Sequence, residues 1–370
     1  MNKNKISKNL LHKTKILESN INEKVFVYSK NFSLAKQFLN SNQFKFSPHR
    51  FANCFSLSVD NDDLDFLSNQ NCVDFIFANN EVKIDSPEKD FLHIENLTKN
   101  KFLGQNQTIC FVDTGISPHF DFIFPKNRIS KFVDFINFKT FPYDDNGHGT
   151  FVAGTACGGG IFSKNYTGIA PMANIISLKA LGENGSSNSD VILDAMEWIY
   201  QHHKAFNIGV VCMSFGADAE ENLDPLSKGA EALWKQGLTI VAAAGNDGPK
   251  SKSIKSPGNC PHIITVGALN MSSMSIAEFS SRGPTIYGHK PDLLAPAVDI
   301  VSCNNGKIPY KKMSGTSVAT PIIAGICACI RSKHTNISNA EIKKFLLSNC
   351  KPITGNIDTE GAGYINFENL

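Results

Sequence analysis

Four polar residues of this 370-residue chain stand where they could carry out acyl-transfer chemistry. Asp113 closes the apolar run Ile109 to Val112 in Val112-Asp113-Thr114-Gly115. A carboxylate at a strand's carboxyl end faces the crevice in which α/β folds bind ligands. His148 follows Asp144-Asp145-Asn146-Gly147 and opens Gly149-Thr150-Phe151-Val152-Ala153-Gly154, where glycines on both sides leave room for a substrate backbone beside the ring. Ser317 lies in Met313-Ser314-Gly315-Thr316-Ser317-Val318-Ala319-Thr320-Pro321, just before an apolar stretch reaching Ile330 that should form a long buried helix. A hydroxyl at a helix start gains from the backbone N–H groups and dipole end that face a developing oxyanion. Asn246, in Val241-Ala242-Ala243-Ala244-Gly245-Asn246-Asp247-Gly248, offers a side-chain N–H to the same oxyanion. Taken singly, each has a plainer explanation: a turn aspartate, a structural histidine, an N-cap serine and a turn asparagine.

The elements that must position these residues follow from patterning. From Gln107 onward, short continuous apolar runs (Ile109 to Val112, Ile175 to Leu178, Ile208 to Met213, Leu238 to Ala243, Ile263 to Val266) alternate with helical patterns. That texture predicts a doubly wound, mainly parallel sheet with helices on both faces, an α/β fold. A helix starting near Ser189 puts Ile192, Ala195, Met196 and Ile199 on one stripe, and Ser338 with Glu341 forms a capping box for another.

Ahead of this lies a small α+β unit over 23–85. Its expected strands are Val25 to Tyr28, Phe51 to Val59 and Val73 to Ile84, with helices at Phe32 to Leu39 and Leu64 to Leu67. The order is β, α, β, α, β, or the same with one strand split in two. Residues 1–22 form a basic extension, and 86–106 a linker leading into a large domain over 107–370.

Composition narrows the partners. A formal charge of +2 with 42% apolar residues describes a globular chain with no broad field for nucleic acid or an anionic membrane. The apolar runs near the amino terminus are too short for a signal-peptide core. Pro321 to Ile330 is about half of the ~20 residues a bilayer span needs. Ten cysteines, with Cys110, Cys212, Cys327 and Cys329 inside apolar runs, read as buried free thiols. Together these features predict a soluble, cytoplasmic protein.

The aspartate, histidine and serine stretches, in this chain order, resemble the subtilase family of serine proteases, over about Gln107 to Asn369. The resemblance implies a serine endopeptidase in which Ser317 attacks the scissile carbonyl, His148 moves the proton, Asp113 orients the imidazole and Asn246 completes the oxyanion hole. It also implies a substrate cleft edged by Gly185, Ser186 and Ser187 and by Ser214, Phe215 and Gly216, with Ala243, Ala244 and Gly245 lining the first specificity pocket. Asp247 at the rim of that pocket would admit basic side chains. By the same resemblance, substrates are expected to be proteins or peptides, with no cofactor required for the chemistry. The usual Asn-rich calcium loop is not evident in Gly158 to Gly168, so metal binding stays open, and Phe151 stands where the family's histidine motif usually continues with a second histidine.

By the same resemblance the amino-terminal unit is similar to the family's ferredoxin-like prodomain, an intramolecular inhibitor, with self-cleavage expected between Val82 and Phe91. The stretches Pro142 to Gly147, Phe279 to Thr285 and Gly361 to Tyr364 resemble the bacterial intracellular alkaline type. The competing reading is a pseudoprotease or binding protein on the same scaffold. A protease dedicated to one processing cut is another.

Overall fold

The computed structural model describes residues 2–7, 10–11, 23–79, 81–83, 103–219 and 224–365, of which 81–83 are described as backbone only. The linker region expected at 86–106 lies outside the described residues up to position 102, as does most of the basic extension. Where described, the extension joins the small unit. Ile6 bridges Ile76, Lys5 Nζ donates to the Gln70 and Val73 carbonyls at 2.7 Å each, and Ile6 and Leu10 are buried in its core.

The small unit runs β1 (Glu23–Tyr28), α1 (Phe32–Ser41), β2 (Phe46–His49), β3 (Cys54–Val59), α2 (Asn61–Ser68) and β4 (Phe75–Ala78). Its antiparallel sheet has the order β2-β3-β1-β4, a ferredoxin-like βαββαβ arrangement. Helix α2 starts with a capping box in which the Asp60 and Asp63 carboxylates each accept the other's backbone N–H. Two sequence expectations change here. Phe51 and Ala52 belong to a 3₁₀ turn (Arg50–Ala52) ahead of β3, and the missed strand β2 carries Pro48, a poor strand former. The expected strand from Val73 to Ile84 also breaks: β4 ends at Ala78, while β5 (Glu81–Lys83) leaves the small sheet.

The large sheet is built from β6 (Thr108–Asp113), β7 (Ile129–Asp134), β8 (Asn174–Lys179), β10 (Ile208–Met213), β11 (Thr239–Ala243), β12 (Ile264–Asn270), β13 (Ser275–Ile276), β14 (Leu293–Pro296), β17 (Cys350–Lys351) and β18 (Tyr364–Ile365). Its order is β17-β18-β14-β12-β11-β10-β6-β8-β7, parallel except where β13 pairs β12 and β17 pairs β18. Two ladders stand apart: β15 (Ile300–Cys303) with β16 (Tyr310–Met313), and β5 with β9 (Ser186–Asn188).

Alternate residues of each central strand feed opposite faces, as a doubly covered sheet demands. From β6, Ile109 and Phe111 join Ala153 and Ala156 of α3 (His148–Cys157), Ile322 and Ile323 of α6 (Thr316–Lys333) and Ile342 of α7 (Asn339–Ser348). Cys110 and Val112 join the opposite cluster with Ile192, Met196 and Ile199 of α4 (Ser189–His202) and Leu226 and Leu233 of α5 (Pro225–Lys235). The stripe read from Ser189 is wholly buried, and Ser338 caps α7 with Glu341 as expected. All ten cysteines are free, eight of them buried. Among the described residues no helix is long and apolar enough to cross a membrane.

The small sheet is also covered on both faces. Val25, Val27, Leu57 and Ile76 face α1 and α2, while Phe26, Cys54 and Phe77 point the other way and pack into the cluster formed by α4 and α5. The interface adds an ion pair from Lys24 to Asp190 on α4. Phe77→Ala should cost about 3–5 kcal/mol in this shared core. In thermal unfolding followed by limited proteolysis, we expect earlier cleavage within 23–79 than in the parent protein.

Candidate active site

Parallel strands β6, β10 and β11 are neighbours, so their carboxyl ends open on one edge of the sheet, and the four candidate residues collect there. Asp113 is the last residue of β6, and its Oδ1 accepts from His148 Nδ1 at 2.7 Å and from the Thr114 N–H at 2.7 Å. Both side chains are buried. His148 is the first residue of α3. A Cβ on Gly149 would lie 3.2 Å from the Asp113 Cβ and closer still to the Gly115 carbonyl, so only glycine lets the helix approach this near.

The first turn of α3 has no partners of its own for its N–H groups, and polar side chains supply them. Asn146 Oδ1 accepts from His148 N–H at 3.1 Å, Thr114 Oγ1 from Gly149 N–H at 2.8 Å, and Asp144 Oδ2 from Thr150 N–H at 2.8 Å. Asp144 is the hub of this arrangement. Its carboxylate also accepts from Thr114 Oγ1 at 2.9 Å, Gly147 N–H at 2.7 Å and Thr150 Oγ1 at 2.7 Å. Lys179, fully buried at the end of β8, ties the Thr114 carbonyl to the Asp145 carboxylate with bonds of 2.7 and 2.6 Å. Sequence reasoning singled out neither Asp144 nor Lys179. Asp144 was visible only as one of two adjacent aspartates before the histidine.

Ser317 sits in the first turn of α6, whose N-cap is Gly315 at φ +146°, so the serine is not the capping residue. Asn246 follows β11 and turns its Oδ1 toward Thr316, accepting from Thr316 N–H and Oγ1 at 2.9 Å each. That anchors the oxygen and leaves the amide N–H₂ on the other side. A Cβ on Gly315 would lie 3.1 Å from Ser317 Oγ and 3.2 Å from Asn246 Nδ2, so hydroxyl and amide border one small space that glycine keeps open. Ser317 Oγ and His148 Nε2 are both buried and make no hydrogen bond among the described residues, although α3 and α6 pack together.

Residues 104–364 match the sequence profile of the Subtilase family, Peptidase S8. The chain is 39% identical over 352 residues to Serine protease AprX of Bacillus subtilis (strain 168), covering 86% of this chain and 78% of that protein. The chain belongs to the subtilase family. Membership makes it a subtilisin-like serine endopeptidase. It is 33% identical over 270 residues to Subtilisin E of the same species, covering 72% of this chain and 66% of that one. Among solved structures, the S41 Psychrophilic Protease superposes with a TM-score of 0.64 at 30% identity, over 71% of this chain and 92% of its own.

In this subtilase the residues expected to edge a substrate cleft fall on β9 and just beyond the carboxyl ends of β10 and β11. Gly185 leads into β9, where Ser186 and Ser187 pair with Lys83 and Val82, and Glu81 pairs with Asn188. Ser214, Phe215 and Gly216 continue β10, the first two of them buried; Ala243 and Ala244 are buried at the end of β11. Gly245 donates its N–H to Thr316 Oγ1 at 3.2 Å. Asp247 has a partner that sequence reasoning missed: Lys255 Nζ lies 2.5 Å from its carboxylate and 2.7 Å from that of Asp218. Burial alone would lower the Lys255 pKa, but these two carboxylates outweigh it and hold the ammonium above its ordinary value.

The region where a calcium loop was sought is organised by hydrogen bonds. Gly160 and Ile161 direct N–H groups at the Asp121 carboxylate at 2.8 and 3.1 Å, and Tyr310 OH donates to it at 3.1 Å. His119, Asp121 and Cys303 lie within 4.8 Å of one another, but the carboxylate is already surrounded by donors and the His119 Nε2 bonds the Pro309 carbonyl at 2.9 Å. A hard cation needs converging oxygens. This cluster does not provide them.

Asn246→Ala should lower kcat by on the order of 10²–10³ with a small change in KM, because a donor to the oxyanion acts in the transition state. Steady-state kinetics on a peptide anilide would show it, and an equal rise in KM with unchanged kcat would count against it. Asp144→Ala, which strands several buried donors, should cost about 2–4 kcal/mol in denaturant unfolding.

Proposed function

We propose that this subtilase hydrolyses peptide bonds through an acyl-enzyme on Ser317 and is made as a self-processed zymogen. Ser317 Oγ attacks the scissile carbonyl carbon as its proton passes to His148 Nε2. The Nδ1–H donates to Asp113 Oδ1 at 2.7 Å, which holds the tautomer that leaves Nε2 free to accept and stabilises the imidazolium. The carbonyl oxygen, now carrying the negative charge, is held by Asn246 Nδ2 and the Ser317 N–H at the start of α6. His148 returns the proton to the leaving amine as the C–N bond breaks. A water molecule then attacks the ester as its proton passes to His148, and His148 hands that proton to Ser317 Oγ as the C–O bond breaks, releasing the carboxyl product and restoring both residues. The observation that carries this reading is that Ser317 Oγ and Asn246 Nδ2 border one space beside Gly315, while the helix that carries Ser317 packs on the helix that opens with His148 of the buried Asp113–His148 pair.

The zymogen reading rests on β5. Three residues that follow the ferredoxin-like unit pair antiparallel with Ser186–Asn188, the edge on which an extended substrate would add as a strand. A tail held there competes with substrate, so the unit acts as an intramolecular inhibitor until the chain is cut. The expected cut between Val82 and Phe91 falls, beyond Lys83, outside the described residues. The free thiols support residence in a reducing compartment, which we take to be the cytoplasm.

A fluorophosphonate probe should label wild type at Ser317 and leave Ser317→Ala unlabelled, with labelling increasing as the chain is processed. Absence of Ser317-dependent labelling in processed material would favour the binding-protein reading. On prolonged incubation, mass spectrometry should find wild type cut between Val82 and Phe91 and Ser317→Ala intact. Wild type that stays whole would sink the zymogen reading alone.

A further inference from the structure

Lys255 lies on the segment that joins β11 to β12, and backbone hydrogen bonds fix it between the two stretches that we read as walls of the first specificity pocket. Its N–H donates to the Ala244 carbonyl at 2.9 Å, and the next residue, Ser256, exchanges two bonds of 2.9 Å with Ala217. One wall is the stretch Ser214 to Gly216 and the other is Ala243 to Gly245.

The lysine stem fills the room that the two wall glycines leave. A Cβ on Gly216 would lie 2.5 Å from Lys255 Cβ and 3.0 Å from its Cγ; a Cβ on Gly245 would lie 2.5 Å from the same Cγ. The ammonium then bridges the Asp218 and Asp247 carboxylates. The lysine side chain is only 15% exposed, while those of Asp218 and Asp247 are 75% and 52% exposed. The cation is the inner charge and the carboxylates are the outer ones.

We propose that Lys255 determines the selectivity of this pocket for the residue before the scissile bond, favouring uncharged side chains of moderate size and turning away basic ones. This rests on the reading of the cleft as a peptide-binding site. A lysine or arginine entering the pocket meets a cation already in place and carboxylates already engaged. A glutamate must first displace an aspartate from the ammonium. A large aromatic ring competes with the lysine stem for the space beside Gly216 and Gly245. Asp247 therefore does not by itself admit basic residues; Lys255 withholds it.

The test uses the full-length chain in two forms, wild type at Ser317 and Ser317→Ala, with peptides differing only in the residue before the cut (Leu, Phe, Lys or Glu). Calorimetry on Ser317→Ala gives affinities, and hydrolysis by the Ser317 form gives kcat/KM. Competition from β5 is the same for every peptide and cancels in ratios. In the parent, Leu should be preferred over Lys and Glu. Lys255→Met, which keeps an apolar stem and frees both carboxylates, should raise the Lys-to-Leu ratio at least about tenfold. Lys255→Gly should in addition raise the Phe-to-Leu ratio several-fold, roughly the discrimination that added pocket volume supplies. Asp218→Asn with Asp247→Asn should raise the Glu-to-Leu ratio by about tenfold. Ratios that stay within about twofold of the parent, or a parent that already prefers Lys, overturn the proposal. Shifted binding ratios without any hydrolysis would instead overturn the peptidase reading and leave this inference standing.

Discussion

The Asp113–His148 pair depends on a buried anion that takes no part in it. Asp113 comes from the end of a central strand and His148 from the start of a helix some way along the chain, and nothing covalent fixes the 2.7 Å between them. The Asp144 carboxylate does so by gathering donors from both sides: Thr114, next to Asp113, and Gly147 and Thr150, which bracket His148. Burying a carboxylate is unfavourable unless its lone pairs are filled, and here they are filled by the groups whose positions matter. The negative charge also lies at the amino end of α3, where the helix dipole favours it. Rigidity of the pair thus follows from the need to satisfy one desolvated group.

The same economy appears at Asn246. Its side chain uses the oxygen to hold the first turn of α6, while its nitrogen borders the same space beside Gly315 as the Ser317 hydroxyl, so one planar amide serves both ends of that turn. The sheet makes this arrangement available. β11 and β10 deliver Asn246 and Ser214 at one edge because parallel strands end together, and α6 begins beside Asn246, which accepts its first N–H.

Much of this was legible in the sequence, for identifiable reasons. Central strands such as Ile208 to Met213 are buried on both faces and read as unbroken apolar runs, and Ser189 to Ile199 keeps a helical stripe because one face of its helix meets the sheet. Asp113, His148, Ser317 and Asn246 stand among small residues whose sparseness is itself a signal. What escaped were features defined by distant partners. Lys255 lies in a polar loop of unremarkable composition, and only the packing of Gly216 and Gly245 around its stem gives it significance. Asp144 stood out only as one of two adjacent aspartates before the histidine. β2 was hidden by Pro48, and the departure of β5 from the small sheet is set by its pairing with β9, which no local pattern announces.

The four-stranded sheet of the small unit carries aromatic side chains on a face that it does not cover itself. Phe26 and Phe77 lie against α4 and α5, beside Met196 and Leu226, in a cluster continuous with the large domain's own core. Separating the two bodies would therefore open two matching oily surfaces to water, each a site for unwanted association. The large domain, once stripped of its companion, would need another covering or a changed surface there. The lifetime of the separated state is thus a question of colloidal behaviour as well as of chemistry, and it is decided on helices packed on the opposite face of the large sheet from the helix that carries Ser317.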